Sequence, residues 1–345
     1  MKTDRRRAGS ETVSRRDFTR LTGGAIVAGL AGCTGSEDPP TDGEGGSATD
    51  GGDTSGSRTP DADERTVIAS MPALWDFTRQ IAGDGDDTVQ PLNIVPVGEH
   101  GHDWNPEPAT VEDIDNAGGF VYMRDFAAWQ DDAAATIEAE GGTAVIDASA
   151  GIDFFDSPAE DNDEHWWVDP VYARDGVENI ADGLAEMDPN NAEYYRDNAA
   201  SFNEKLQELH EDFQAIVDRA ELTSIVVATH DSFQWWNRQY GIDVYSPVGT
   251  SPDDSATPQD VQEIEEVIEE EGIEHVLYDV GEPGQLAESL AAETDAEILP
   301  LSPVETQIDG TPPIGGDLVM EPDWGYLEHF YEINLPSLET ALQAE

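Results

Sequence analysis

The 345-residue chain carries 75 Asp and Glu residues against 16 Lys and Arg residues, which gives a formal net charge of −59 at pH 7. Such a charge argues against nucleic-acid binding, because the phosphate backbone requires cationic partners. The self-repulsion is tolerable only where dissolved ions screen it, so we expect a halophile's protein that folds in high salt. Cys33 is the only cysteine, which excludes a disulfide framework and a thiolate metal site.

The N-terminal residues resemble an export signal and not part of a fold. The pair Arg15-Arg16 forms a twin-arginine pattern, and a short apolar run over residues 21–30 follows it. Because the tetrad Leu30-Ala31-Gly32-Cys33 resembles a lipobox, we predict a signal peptide over residues 1–33 and lipidation of Cys33. The protein would then be exported by the twin-arginine route and anchored on the outer face of the cell membrane. Residues 34–64 are predicted to form a disordered acidic tether.

From residue 65 the chain alternates between short apolar runs rich in β-branched residues and longer amphipathic runs, which is typical of an α/β fold. The predicted strands are Thr66–Ala69, Thr88–Val95, Gly119–Met123, Ala144–Asp147, Ile225–Thr229, Asp243–Ser246, His275–Tyr278 and Glu297–Leu301. The predicted helices are Pro72–Ala82, Val111–Asn116, Phe126–Glu140, Val171–Met187, Asp188–Ala220, Ser232–Tyr240, Pro258–Glu271, Gln285–Thr294 and Trp324–Ala344. The pattern predicts no regular structure for residues 302–323.

The longest helical pattern, Asp188–Ala220, lies between two such α/β stretches. Asp188 is a suitable N-cap and Pro189 suits the first helical position. The sequence therefore predicts two lobes, residues 65–187 and 222–345, each a small, mostly parallel sheet flanked by helices. One long rigid helix, residues 188–221, would join them.

Histidine placement is the strongest chemical signal. His102, His165 and His230 lie in predicted loops, two of which directly follow strands, where ligand sites of α/β sheets occur. Each is followed by an acid that could orient its imidazole: Asp103, Asp169 and Asp231. Three neutral imidazoles suit Zn²⁺, with Mn²⁺ or Fe²⁺ as lesser possibilities. For His210, His275 and His329 we expect solvated or capping roles.

Residues 66–345 resemble the metal-binding solute-binding proteins of zinc/manganese ABC transporters, and we assign them to a haloarchaeal lipoprotein type. The resemblance implies His102, His165 and His230 as ligands of a transported Zn²⁺ or Mn²⁺ held between the lobes. It also implies an ABC permease and its ATPase as partners, no enzymatic activity, and a monomer. The matching segments are Ile94–Gly98, Gly101–Pro106, His165–Pro170, Thr229–Phe233, Tyr278-Asp279, Leu286–Leu290 with Glu293-Thr294, and Pro300–Pro303.

Two departures from the family pattern affect the site. Ser302 stands where the family usually has a ligand aspartate, so Asp279, Glu305 or water could supply the fourth ligand, and we favour Asp279. The loop Asp156–Glu164 is acidic where zinc-type members often carry histidines. His100 could join the site or be an exposed neighbour.

Two other functions remain open from the sequence. Three histidines with an open water position also describe a secreted zinc hydrolase, although the chain contains no HExxH motif. A related helix-linked protein that binds siderophores or corrinoids would not need the three loop histidines. A His230→Ala variant that still binds its ligand normally would favour this last function.

Overall fold

The computed structural model describes residues 65–85, 87–102, 104–158, 160–250, 255–314 and 316–344. The predicted signal peptide, the lipidation site Cys33 and the tether lie outside the described residues. No helix in these ranges is long and apolar enough to cross a bilayer.

The first lobe contains a four-stranded parallel sheet in the order β2-β1-β3-β4. Its central strand β1 is fully buried, as expected for a parallel sheet covered by helices on both faces. The strands are β1 (Thr66–Ala69), β2 (Gln90–Asn93), β3 (Gly119–Tyr122) and β4 (Ala144–Asp147). The helices are α1 (Pro72–Ala82), α2 (Pro108–Asn116), α3 (Ala128–Glu140) and α4 (Pro170–Met187).

The second lobe repeats this arrangement with a parallel sheet in the order β6-β5-β7-β8. The predicted fold class, two α/β lobes with parallel sheets flanked by helices, is confirmed. The strands are β5 (Ser224–Val227), β6 (Asp243–Tyr245), β7 (His275–Asp279) and β8 (Glu297–Leu301). The connecting helix α5 (Ala192–Arg219) precedes this lobe. The helices of the lobe are α6 (Gln234–Tyr240), α7 (Pro258–Glu271) and α8 (Gln285–Thr294).

The connecting helix α5 spans Ala192–Arg219 and begins later than predicted. Asp188 does not cap it. Instead, Asp188 ends α4, where its backbone N–H donates to Leu184, and its carboxylate accepts from Asn191 and from the Tyr195 hydroxyl. At 1.5 Å per residue, the 28 residues of α5 span about 42 Å. Its apolar side chains from Tyr195 to Ile216, spaced alternately four and three residues apart, are buried.

The C-terminal segment, predicted as one helix over residues 324–344, is interrupted. It consists of α9 (Tyr326–His329), a π-helical turn over Phe330–Asn334 and α10 (Leu335–Ala341). Pro336 lies in the first turn of α10 and cannot donate a hydrogen bond to the turn before it, which favours the wider turn there.

One hydrophobic cluster extends through both lobes, and each lobe also contains a smaller cluster of its own. The same cluster of buried side chains includes Val67 and Phe77 of the first lobe and Ile225 and Leu277 of the second. Buried indoles also connect the lobes, since Trp236 Nε1 on α6 donates to the carbonyl of Val168 at 2.8 Å. We expect this continuity to limit the displacement of one lobe relative to the other.

Candidate metal centre

The three histidines that the sequence singles out converge. His102 lies in the loop after β2, His165 immediately precedes a 3₁₀ turn at Trp166–Val168, and His230 follows β5. His102 Nε2 and His165 Nε2 are 3.2 Å apart, and the rings of His165 and His230 have centroids 5.7 Å apart. The first lobe therefore supplies two imidazoles and the second lobe supplies one.

A carboxylate completes the group, and it belongs to Glu305 in the loop after β8. Its Oε1 lies 3.7 Å from His165 Nε2 and 3.5 Å from His230 Nε2, and its Oε2 lies 3.9 Å from His102 Nε2. One ligand atom from each of the four residues lies within 4.8 Å of all the others. Glu305 was one of three alternatives that the sequence left open.

The geometry of this group fits a tetrahedral metal ion. Zn–N bonds of about 2.0–2.1 Å place neighbouring ligand atoms about 3.3 Å apart, close to the separations observed here. Glu305 and His230 are fully buried, yet both carboxylate oxygens of Glu305 and Nε2 of His230 have no hydrogen-bond partner among the described residues. Buried polar atoms are rarely left unpaired, so these three atoms are suited to bind a cation.

Asp279, the residue favoured from the sequence as the fourth ligand, lies in a neighbouring group. Its Oδ2 is 3.2 Å from Nε2 of His100, and its Oδ1 accepts from the backbone N–H of Gly281. His100 is 7% exposed, so the second of the two alternatives left open for it, an exposed neighbour, is wrong. The Nδ1 atom of His100 lies 3.5 Å from Glu305 Oε2, which places His100 between the carboxylates of Asp279 and Glu305.

Two carboxylates orient the imidazoles, and neither is the acid expected from the sequence. Asp163 Oδ1 accepts from His165 Nδ1 at 3.1 Å, and Glu282 Oε1 accepts from His230 Nδ1. In both rings Nε2 is then left facing the group, as in carboxylate–histidine–metal arrangements. Asp163 precedes His165 by two residues, whereas Glu282 comes from the loop after β7, 52 positions away from His230.

The acids predicted to orient the histidines have other roles. Asp169 caps α4 by accepting from the backbone N–H of Val171, and Asp231 accepts from the side chain of Gln234. Asp103 lies outside the described residues. An acid next to a histidine in sequence need not reach its ring, because both side chains point where the local backbone directs them.

The charged side chains of the candidate metal centre strongly shift one another's pKa values. Burial alone would raise the pKa of Glu305, but the imidazoles of His230, His100 and His102 outweigh burial and hold that pKa below its ordinary value. Burial lowers the pKa of His102 well below 6.5. For His230 the carboxylates of Glu305 and Glu282 overcome burial and raise the pKa well above 6.5.

The remaining histidines lie away from the group, with one correction. His210 on α5 contacts the hydroxyl of Tyr240 at 3.0 Å, and His275 is half-buried at the start of β7. His329 is neither solvated nor capping, because it is 2% exposed and contacts Ser302 Oγ at 2.7 Å. Burial lowers the pKa of His329 to about 4, so its imidazole is neutral.

A cavity of about 610 Å³ opens beside the group and reaches His102. The acidic loop over residues 156–164 forms one wall through Glu160 and Glu164. Burial, together with the adjacent Glu160, raises the pKa of Glu164 to about 10, so this carboxyl is protonated at neutral pH. Glu160 accepts from the hydroxyl of Thr250 in the second lobe at 2.7 Å.

Two α/β lobes with a buried set of nitrogen and oxygen ligands between them define a metal-binding solute-binding protein. The family described as ZnuA, zinc-uptake complex component A periplasmic, matches residues 67–316 of the chain. The chain therefore belongs to this family, which consists of solute-binding transport components and not of enzymes.

Individual relatives agree with this assignment. The high-affinity zinc uptake system protein ZnuA of Bacillus subtilis (strain 168) is 26% identical over 268 residues, which cover 73% of this chain and 82% of that protein. Zinc-binding protein AdcA of Streptococcus pyogenes serotype M6 is 28% identical over 263 residues, 69% of this chain and 50% of that protein. The chain thus spans about half the length of AdcA.

Solved structures share the fold. Zn(II)-bound AdcA from Streptococcus pneumoniae superimposes with a TM-score of 0.67 at 24% identity, over 80% of this chain and 57% of that one. The laminin-binding protein Lmb of Streptococcus agalactiae gives a TM-score of 0.69 at 24% identity, over 81% of this chain and 99% of that one. The relatives named here are bacterial, so they give no support to the predicted haloarchaeal type.

Proposed function

We propose that the chain captures a zinc ion with His102, His165, His230 and Glu305 and delivers it to an ABC permease and its ATPase for uptake. The observation that carries this proposal is the convergence of ligand atoms from four residues, among which Nε2 of His230 and both carboxylate oxygens of Glu305 have no hydrogen-bond partner in the described part of the chain. Zinc-binding relatives in the same family support the choice of metal.

The ligand types favour zinc over manganese. Imidazole nitrogen suits Zn²⁺, whereas Mn²⁺ prefers carboxylate, carbonyl and water oxygens. Three imidazoles and a single carboxylate therefore form a nitrogen-rich site of low coordination number. Manganese would require additional oxygen ligands, and Asp279 is engaged with His100 instead.

Capture is accompanied by a local rearrangement. Each lobe supplies two ligands, so bound zinc holds their loops together and favours the arrangement in which all four ligands meet. Since one hydrophobic cluster extends through both lobes, the movement is confined to the ligand loops and the surrounding surface. The permease would recognise that surface.

The N-terminal residues indicate where capture takes place. The twin-arginine pattern and the lipobox support export followed by lipid anchoring through Cys33 on the outer face of the membrane. The net charge of −59 supports a working environment of high salt, and we retain the haloarchaeal type as part of this proposal. Relatives named as lipoproteins are consistent with the anchor.

A competition titration in molar salt tests the proposal, with Zn²⁺ or Mn²⁺ partitioned between the protein and a chelator. We expect one tight zinc site that is lost in the His102/His165/His230 triple-alanine variant and in Glu305→Gln. His210→Ala removes one imidazole outside the site and should bind zinc as the parent does. If the variants bind as the parent does, or only weak multiple binding is seen, the acidic surface accounts for the binding and the proposal is wrong.

A further inference from the structure

The position of the Glu305 side chain depends on the conformation of the backbone that carries it. Glu305 is fully buried, and neither carboxylate oxygen has a hydrogen-bond partner within the described ranges. The carboxylate is attracted by the imidazoles of His100 and His230, each at 3.5 Å, but no hydrogen bond from a neighbouring side chain fixes its orientation. The main chain around residue 305 therefore determines where the side chain starts and whether the carboxylate can reach the three imidazoles.

The residue before Glu305 has an unusual backbone conformation. Val304 has φ of +62° and is 1% exposed. A positive φ is an outlier for a β-branched residue, and such conformations persist only where the surroundings over-determine them. The surroundings of Val304 must therefore hold this turn in place.

Ser302 stabilises the turn at Val304. Its hydroxyl accepts from the backbone N–H of Val304 at 3.2 Å and donates to Nδ1 of His329 at 2.7 Å. Nδ1 can accept because the buried imidazole of His329 is neutral. The backbone N–H and C=O of Ser302 are both paired with the side-chain amide of Asn334, each at 2.8 Å.

The partners of Ser302 lie on the interrupted C-terminal helix. His329 ends α9 and Asn334 ends the π-helical turn, so this turn sets the spacing between the two side chains that hold Ser302. Further along the loop, Trp167 Nε1 donates to the carbonyl of Pro303 at 2.6 Å. The backbone N–H of Gly101, next to His102, donates to the carbonyl of Glu305 at 3.2 Å.

We propose that Ser302, held by His329 and Asn334, is a positioning residue that aims the Glu305 carboxylate at the zinc ion through the left-handed turn at Val304. Ser302 would thus act on the metal through Glu305 and not as a ligand itself. Its hydroxyl would support a ligand at a position where the family usually has an aspartate that is a ligand. Without the hydroxyl, Val304 can relax to a negative φ and turn Glu305 away from the three imidazoles. This inference rests on the proposed function, because it requires Glu305 to be a ligand.

The test compares three variants of the full chain. Ser302→Ala removes the supporting hydroxyl and Ser302→Thr retains one. Ser149→Ala is the matched control, because Ser149 is also fully buried and its hydroxyl also accepts from a backbone N–H and contacts a side chain. The readouts are zinc affinity by chelator competition and the visible absorption spectrum of bound Co²⁺, which reports the coordination geometry independently of fold stability.

We expect Ser302→Ala to weaken zinc binding by about 10- to 100-fold, the range measured for residues that support metal ligands, and to alter the Co²⁺ spectrum. Ser302→Thr and Ser149→Ala should keep the parental affinity and spectrum. A parental Co²⁺ spectrum and affinity in Ser302→Ala would overturn the inference, and so would equal losses in Ser302→Thr and Ser149→Ala.

Glu305→Gln separates this inference from the proposed function. If Glu305→Gln binds zinc as tightly as the parent, Glu305 is not a ligand and the inference falls together with that part of the proposed function. If Glu305→Gln loses tight binding but Ser302→Ala does not, only the role of Ser302 is wrong.

Discussion

His165 donates a hydrogen bond from Nδ1 to Asp163 Oδ1 at 3.1 Å, and both side chains are fully buried. Asp163 Oδ1 also accepts from His165's own backbone N–H and from Trp235 Nε1 of the second lobe. One carboxylate oxygen thus fixes the tautomer of His165, the orientation of its ring and a contact between the lobes.

We expect Asp163→Asn to weaken zinc binding by about 10- to 100-fold, because the amide is an uncharged and weaker acceptor for the imidazole N–H. Chelator competition at pH 7.5 measures the change. Asp161→Asn removes the same charge from an exposed position two residues away and is the control for simple electrostatics. Equal losses in the two variants would show that the local charge, and not the orientation of His165, accounts for the effect.

Zinc binding at neutral pH should release a proton from His230. The carboxylates of Glu305 and Glu282 raise the pKa of His230 well above 6.5, and only a neutral imidazole can bind the metal. As the pH is lowered, the affinity should therefore begin to fall at a higher pH than the value of about 6 that ordinary histidines would give.

Calorimetry in two buffers with different ionisation enthalpies measures the released protons. Glu282→Gln removes one of the carboxylates that raise the pKa of His230, so this variant should release fewer protons at pH 7. Zinc binding without proton release in the parent at pH 7 would contradict this account.

Asp169 should destabilise the folded protein above neutral pH. Burial raises its pKa to about 7 from the ordinary 3.8. A raised folded-state pKa contributes stability below pH 3.8 that is lost as the pH rises through 7, because the folded state retains the proton longer. At 1.36 kcal/mol per pH unit, the loss reaches about 4 kcal/mol at pH 8.

Asp169→Asn keeps an N-cap for α4 and removes the buried charge. We expect a higher free energy of unfolding than in the parent, by up to about 4 kcal/mol at pH 8 and by less at pH 5. Denaturant unfolding at the two pH values measures this, with Asp197→Asn on the exposed side of α5 as the control. A variant less stable than the parent at pH 8 would show that the charge on Asp169 is stabilising.

The hydrophobic cluster that extends through both lobes predicts that zinc leaves the distance between the lobes almost unchanged. Spin labels at Asp132→Cys on α3 and Glu269→Cys on α7, both at exposed positions, report this distance by pulsed electron resonance in a Cys33→Ser background. We expect the same distance distribution before and after zinc addition. A clear shortening on zinc addition would show that the lobes close as bodies.

Local sequence patterns were sufficient to predict the fold class and the bounds of several helices and strands. The helix α7 begins at Pro258 as predicted, because Thr257 and Asp260 form a reciprocal capping box that uses only neighbouring residues. The strand β8 is likewise bounded as predicted. His102 and His230 could be selected because each follows a predicted strand, and ligand sites in α/β folds occur at strand ends.

Long-range contacts account for what the sequence did not specify. The loop that carries Glu305 has no hydrophobic period, and it is fixed by Trp167, Gly101 and Asn334, which are distant in the chain. The sequence could not distinguish Asp279 from Glu305 as the fourth ligand, because it does not show that His100 contacts Asp279. Similarly, the pairing of Glu282 with His230 follows from the juxtaposition of β5 and β7, not from sequence spacing.

X-ray absorption at the zinc edge tests the central claim most directly, using full-length protein loaded with one equivalent of zinc after chelator treatment. We expect four nitrogen or oxygen ligands at about 2.0–2.1 Å, with the multiple-scattering pattern of three imidazoles and with one imidazole fewer in His230→Ala. A shell of six oxygen ligands without imidazole scattering, unchanged in His230→Ala, would place the zinc on the acidic surface and contradict the account.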